Sequence, residues 1–357
     1  MKTRIEARRP QGMISVYLLI LVFMLGCGGG GAPVDPNDPN DPNDPNDPND
    51  PNDPGDPGPK VYTVKFISDI DTTCSEDVAL YENYLYIADG PSGIRVIDVS
   101  TPSDPVEVNL FPSEFAQRVY QHSDYLYLCD TSGGLKIYSL ANPGNPSLVY
   151  SEDLGYADSI SFRENRMYVG NYYGGLRAYN RDNPAQPLLI NEITSFRVRD
   201  IYFLDNRLLM ADNPYGINIF VEESPGILNF TYKRPFVVGN FEDIVGYKTY
   251  AILCRNDDIP GIQIFDVENP SAAILQNVLI PSSAIEGASV NGNFLLAACG
   301  EDGVFAYDLD KLPTPSVIWK ADTPGYARRV KLYDDMVYVA DMDSVGIYKV
   351  TVTGGGS

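Results

Sequence analysis

The sequence predicts an all-β fold, a closed ring of seven four-stranded antiparallel sheets. Three observations predict it. The first is a recurring unit, as in Tyr84-Leu85-Tyr86-Ile87-Ala88-Asp89 followed by Gly93-Ile94-Arg95-Val96-Ile97-Asp98-Val99. An apolar strand ends on an acidic turn, a glycine reverses the chain, and a second apolar strand follows. The second is the period. The glycine returns at Gly134, Gly175, Gly216, Gly261, Gly303 and Gly346, with spacings of 41, 41, 41, 45, 42 and 43 residues. A period of about 40–45 residues is one propeller blade of four short strands. The third is punctuation. Two-residue polar turns (Glu82-Asn83, Ser123-Asp124, Glu164-Asn165, Asp205-Asn206, Asp334-Asp335) suit tight hairpins. Proline-bearing loops such as Thr101-Pro102-Ser103-Asp104-Pro105 suit connections to an outer strand, where no ladder donor is lost. A seven-bladed β-propeller over residues 60–353 is the reading that satisfies all three.

The chain before the ring reads as export and tethering. Residues 2–9 are basic, and Met13 to Leu25 form an apolar run of thirteen, too short to span a bilayer as a helix. A basic start, a short apolar core and small residues after it make a secretory signal, residues 1–26. Met24-Leu25-Gly26-Cys27 resembles a bacterial lipobox, which implies lipid attachment at Cys27. Residues 27–59 follow as a stalk. Asp-Pro-Asn repeats six times from Asp35 to Asn52, and two Asp-Pro-Gly units end at Gly58. This tract has no apolar side chain to bury, so nothing offsets the entropy of ordering it. Proline at every third position favours extended conformers, about 3.1 Å per residue. Residues 354–357 read as a flexible tail.

Within the ring, the first copy divides into strands near Asp77–Tyr81, Tyr84–Ala88, Ile94–Val99 and Val106–Leu110. The last copy is short of a fourth strand: after Gly346–Thr351 only Val352, Thr353 and a glycine tail remain. Val61–Ile67 is a spare strand at the other end. Pairing it into the last blade closes the ring and removes two sheet edges.

Tyr86-Ile87-Ala88-Asp89 with Gly93-Ile94-Arg95-Val96-Ile97-Asp98-Val99-Ser100-Thr101-Pro102 resembles the LVIVD repeat, whose units build β-propellers in secreted and lipid-anchored bacterial proteins. The resemblance covers Lys60 to Thr353 and implies a fold and an envelope location, without an activity to carry over. Copies five and six depart from it, at Cys254-Arg255-Asn256-Asp257-Asp258 and Cys299-Gly300-Glu301-Asp302.

The formal charge is −22; residues 1–26 carry +3, which leaves −25 for the rest. Such a surface has no electrostatic footprint for nucleic acid and disfavours anionic membranes, so membrane contact is expected only through the lipid anchor. No phosphate loop, nucleotide fingerprint or histidine–carboxylate metal spacing occurs, and no cofactor is expected. Cys129, Cys254 and Cys299 align with Ala88, Gly170, Ala211 and Ala340, a column that demands a small side chain. Cys74, at the start of blade one, is either a buried packing residue or an exposed reactive thiol. His122, the only histidine, falls in a turn of blade two with no partner for acid–base work. Asp89, Asp130, Asp212 and Asp341, with Asn171 in blade three, recur too often to be catalytic and read as turn caps. Asp257, Asp258, Glu301 and Asp302 break the repeat in adjacent blades and are weak candidates for a cation site, against a solvated acidic loop.

One column is both variable and charged, the start of each blade's first strand, nearest the axis. It reads Glu76-Asp77, Gln117-Arg118, Asp158-Ser159, Arg199-Asp200, Glu242-Asp243, Gly287-Ala288 and Arg328-Arg329. Phe115, Tyr156, Phe241 and Tyr326 border it. This is either a polar, aromatic-edged funnel for a ligand or a hydrated mouth with self-paired charges. The expected function is a monomeric, anchored binding propeller whose partner is an envelope or extracellular protein or glycan. The alternatives are a hydrolase or lyase using acids at the channel mouth, such as Glu76/Asp77 and Glu242/Asp243, and a structural envelope component.

Overall fold

A computed structural model of the chain describes residues 60–233, 239–279 and 284–353. The signal segment, Cys27, the Asp-Pro-Asn stalk and the tail lie outside the described residues. What is described forms seven four-stranded antiparallel sheets, with one short 3-10 turn at Leu309–Lys311. In blade one the strands run outward from the axis as Asp77–Tyr81, Tyr84–Ala88, Ile94–Asp98 and Val106–Phe111.

The repeated glycine is required twice over in most blades. Gly93, Gly134, Gly175 and Gly303 have φ of 96°, 75°, 84° and 76°, a region costly for any residue with a Cβ. A Cβ at Gly93 would also lie 2.0 Å from the Phe111 carbonyl oxygen of the outer strand. The same clash recurs at Gly175, 2.0 Å from the Ile193 oxygen. The glycine thus lets the third strand begin directly beneath the end of the fourth. At the opposite end of each blade, the first residue of the tight turn takes the left-handed conformation, as at Glu82 (φ 54°), Ser123 (φ 53°) and Glu164 (φ 51°).

Each blade is buried on both faces, which explains the unbroken apolar runs in the second strands. Seven hydrophobic clusters fill the seven interfaces between neighbouring blades. Between blades one and two, for example, Tyr86 and Val96 pack with Val119, Leu126 and Leu128. The small-residue column lies in this interior: Ala88, Cys129, Ala211, Cys254, Ala298 and Ala340 are fully buried. A Cβ on Gly170 would lie 2.5 Å from both Ser159 Oγ and Val198 Cγ1, so only glycine fits there. Blade six corrects the alignment. Gly287 pairs with Ala298, as Arg118 pairs with Cys129, so Ala298 holds the small-residue position. Cys299 stands one place on, where blades one, two, four and seven carry the capping acid.

The ring closes as the missing strand requires. The N-terminal strand Val61–Ser75 lies antiparallel to the last strand, Met342–Thr353, in register from Val61↔Thr353 to Ser75↔Met342. It is longer than the seven residues expected, because it bends past Phe66 and Asp71 and continues to the start of blade one. Blade seven therefore draws one strand from the start of the ring and three from its end. Ile67 and Ile70 of this strand also pack against the cluster between blades seven and one.

Deleting residues 60–68 should strip the outer strand from blade seven and lower the melting temperature of the whole ring by on the order of 10 °C, followed by circular dichroism. An unchanged melt would mean that the last sheet needs no outer strand.

Candidate functional site at the ring axis

The seven inner strands converge on one cavity of about 510 Å³. The start of each strand places two successive side chains near the axis, and these form two stacked rings. The outer ring is Glu76, Gln117, Asp158, Arg199, Glu242, Glu286 and Arg328. The inner ring is Asp77, Arg118, Ser159, Asp200, Asp243, Gly287 and Arg329. In blade six the pair is Glu286-Gly287, not Gly287-Ala288, by the register that moved Ala298. Glu286 is buried and belongs with the predicted residues.

The inner ring is bonded across the axis. Arg118 of blade two donates to Asp200 Oδ1 of blade four at 2.8 Å and to the Glu242 carbonyl of blade five at 2.8 Å. Its guanidinium also lies 3.8 Å from Asp243. Arg329 of blade seven approaches Asp243 at 3.7 Å and donates to the Glu286 carbonyl. The aspartates fasten neighbouring blades through the backbone. Asp77 accepts from Val119 N at 3.2 Å, Asp200 from Ile244 N at 2.9 Å, and Asp243 from Ala288 N at 2.9 Å. In each case the acid of one blade holds the inner strand of the next. Burial, with the Asp243 carboxylate beside it, pushes Asp200 well above the usual carboxylate range despite Arg118. Burial opposes ionisation of Asp243 too, but its bond with Asp200 and the charges of Arg329 and Arg118 hold it below that range.

The outer ring pairs into two triads. Arg199 bridges Asp158 (2.9 Å) and Glu242 (2.6 Å). Arg328 lies between Glu286 (3.4 Å) and Glu76 (3.7 Å). Tyr326 donates its hydroxyl to Glu286 at 2.6 Å, with Arg328 over its ring at 5.8 Å. Burial pushes the Asp158 carboxyl up to about 6, against Arg199 and Arg118, which pull it down.

The aromatic border divides. Tyr156 lies at the mouth, where Arg199, Glu242, Asn213 and Asn240 line a second cavity of about 280 Å³ with Tyr172 and Tyr173. Phe115 is half-buried over the Asp130 cap, which accepts its backbone N–H at 2.7 Å. Phe241 is fully buried in the interface between blades four and five. It is displaced from the mouth because it sits one residue nearer the strand than Tyr156, in the column of Ala116, Ala157 and Ala327. Tyr172 and Tyr173 stood outside the predicted set. The signal was available, since a turn that holds Thr131-Ser132-Gly133 in blade two holds Tyr172-Tyr173-Gly174 in blade three.

The recurrent acids cap the loop that enters the inner strand: Asp89 accepts from Thr73 N and Cys74 N, Asp130 from Glu114 N and Phe115 N, and Asp341 from Gly325 N. In blade five Arg255 occupies that position, and Asp257 supplies the cap from two residues on, accepting from Asn240 N at 3.2 Å while paired with Arg255 at 2.9 Å. Asp257 is therefore engaged in capping, and Asp258 and Glu301 are exposed. Among the described residues, no three of His, Cys, Asp or Glu, Asp302 included, gather where they could hold a metal ion. Cys74 is half-buried and its thiol lies 3.3 Å from Glu76. Burial and that carboxylate push it up to about 11, away from thiolate chemistry at neutral pH. His122 ends the first strand of blade two rather than occupying the turn. Its ring stacks on Phe162 at 4.3 Å and borders the larger cavity. Burial and Arg181 lower its pKa.

The LVIVD repeat model matches residues 74–111, 115–153 and 324–345, which are blades one and two and part of blade seven. No curated protein matches the chain. Among solved structures, the computationally designed Ika8 protein is similar in fold, with a TM-score of 0.59 at 11% identity over 80% of this chain and 99% of that one. At that identity the likeness is one of fold alone.

A carboxyl that titrates near 6 when folded, against 3.8 ordinarily, stabilises the fold while protonated and loses that contribution as pH rises through 6. Urea denaturation at pH 4 and pH 7 should therefore show the wild type losing up to about 3 kcal/mol relative to Asp158→Asn. Equal pH dependence in both proteins would contradict the assigned environment of Asp158.

Proposed function

We propose that this protein is an exported binding propeller, lipid-anchored through Cys27 to a bacterial membrane and held off it by the Asp-Pro-Asn stalk. Its mouth face takes an envelope or extracellular protein or glycan. The basic and apolar leader, the lipobox-like Met24-Leu25-Gly26-Cys27 and the LVIVD repeats support the anchoring half of this reading.

The observation that carries the binding half is Tyr173. Its side chain is 74% exposed in a turn where blades one, two and six keep small or polar residues (Gly90-Pro91-Ser92, Thr131-Ser132-Gly133, Gly300-Glu301-Asp302), and it rims a cavity beside Arg199 and Glu242. Its ring packs against Tyr156 and Tyr172 at the surface rather than into a blade interface, and binding faces favour tyrosine. The paired-acid chemistry of a hydrolase or lyase finds less support. Glu242 opens on the small mouth cavity and Asp243 on the large axial one, so the two do not face a common reacting atom. Asp200 and Asp243, which do share a cavity, are committed to backbone amides of the adjacent blade. Function on such a scaffold resides in the site, not in the fold.

A photo-crosslinking residue placed at 173 in cells should trap a partner, while one placed at 334, in a turn at the opposite end of the ring, should not. Equal trapping at both, or none at 173, would contradict a mouth-face partner. Cys27→Ser should move the protein from the membrane fraction to the soluble fraction; retention in the membrane would contradict lipid anchoring.

A further inference from the structure

We infer that the mouth cavity binds a neutral saccharide. This rests on the binding reading above and names its ligand class. Tyr156, Tyr172 and Tyr173 form a cluster in which Tyr173 packs edge-to-face on both of the others, with centroids 5.4 Å apart for Tyr156–Tyr173 at 85° and 5.0 Å for Tyr172–Tyr173 at 84°. Among the described residues none of their hydroxyls has a protein partner. The three tyrosines line the mouth cavity, and most of the Tyr173 ring is exposed. Beside it runs a continuous polar chain. Asn213 Nδ2 donates to Asn240 Oδ1 at 2.6 Å, Asn240 Nδ2 to Glu242 Oε1 at 2.7 Å, and Arg199 joins Glu242 to Asp158. Asp158 in turn accepts from Tyr172 N at 3.1 Å.

These bonds hold the polar groups in fixed orientation while leaving second lone pairs and N–H groups of the amides and carboxylate directed elsewhere. A ligand of many hydroxyls, each able to donate and accept, complements such an alternation. Its C–H face complements a tyrosine ring. An anion is disfavoured, because Arg199, the one guanidinium among the described lining residues, is already shared by two carboxylates. A cavity of about 280 Å³ suits the end of a chain rather than a protein surface. The repeat itself points here. Blade three abandons its small turn residues for Tyr172-Tyr173, and the next blade places Tyr215, 49% exposed, at the equivalent turn.

The full chain should be titrated with chitotetraose, cellotetraose and, as an anionic control, tetragalacturonate, using saturation-transfer NMR and calorimetry. At least one neutral tetrasaccharide should bind with Kd on the order of 1 mM or tighter. Tyr173→Ala should weaken it at least tenfold with no change in melting temperature, since that side chain is mostly exposed. Tetragalacturonate should not bind. Absence of binding to the neutral saccharides, binding indifferent to Tyr173→Ala, or preference for tetragalacturonate would each overturn the inference. If saccharides fail but cross-linking from position 173 still traps a partner, the saccharide assignment falls and the mouth-face reading stands. If both fail, both readings fall.

Discussion

A ring of blades closes only if its two ends meet, and here the meeting is made by backbone hydrogen bonds between Val61–Ser75 and Met342–Thr353. Everything else in the domain presupposes this pairing. The seven apolar interfaces are equivalent only when blades seven and one are held side by side, and the cluster of Val78, Leu85 and Ile87 with Tyr338, Ala340 and Ile347 exists because they are. The axial charge rings depend on it too. Arg328 and Arg329 come from the last blade, and they reach Glu76 in the first and Asp243 in the fifth.

The axis is where the repeat gives way to individuality. A packed propeller interior tolerates one kind of residue per column, because each interface repeats the same geometry. The axial positions face one another instead of a neighbouring sheet, so each can differ. They use that freedom first for cohesion. Buried charges without partners are costly, and those of the inner ring are met across the axis by Arg118 and Arg329 or by backbone amides. Arg118 joins blade two to blades four and five, and its guanidinium obstructs the axis at that level. The mouth cavity and the larger cavity are consequently distinct environments, one rimmed by tyrosines and the other walled by the inner strands.

Fold and strand order were legible because they rest on local chemistry: a glycine with a carbonyl 2.0 Å from where its Cβ would be, left-handed turn residues, a missing last strand. The axial residues were legible as a column because uniformity fails there. Three readings missed, each for a reason of register. Cys299 resembles Cys129 and Cys254 in type, so matching by residue kind shifted blade six by one place and hid Glu286. Phe241 shares its chemistry with Tyr156 but not its position, and one residue moves a side chain from the mouth into the interface. His122 ends a strand because the turn begins at Ser123. Tyr172 and Tyr173 were visible as a departure from the repeat, but their proximity to Arg199 arises only when blades three, four and five are set round one axis.

Closure of the ring depends on the register of the closing pair, and one cross-link tests it most directly. Thr63 and Thr351 face each other across the two strands, within the Cα separation a disulfide requires. With cysteine at both positions, mild oxidation should form the 63–351 bond in nearly all molecules, identified by peptide mass mapping, and raise the cooperative melting temperature of the whole ring. Failure to form that bond in folded protein, or its formation with no effect on the melt, would contradict closure by the N-terminal strand.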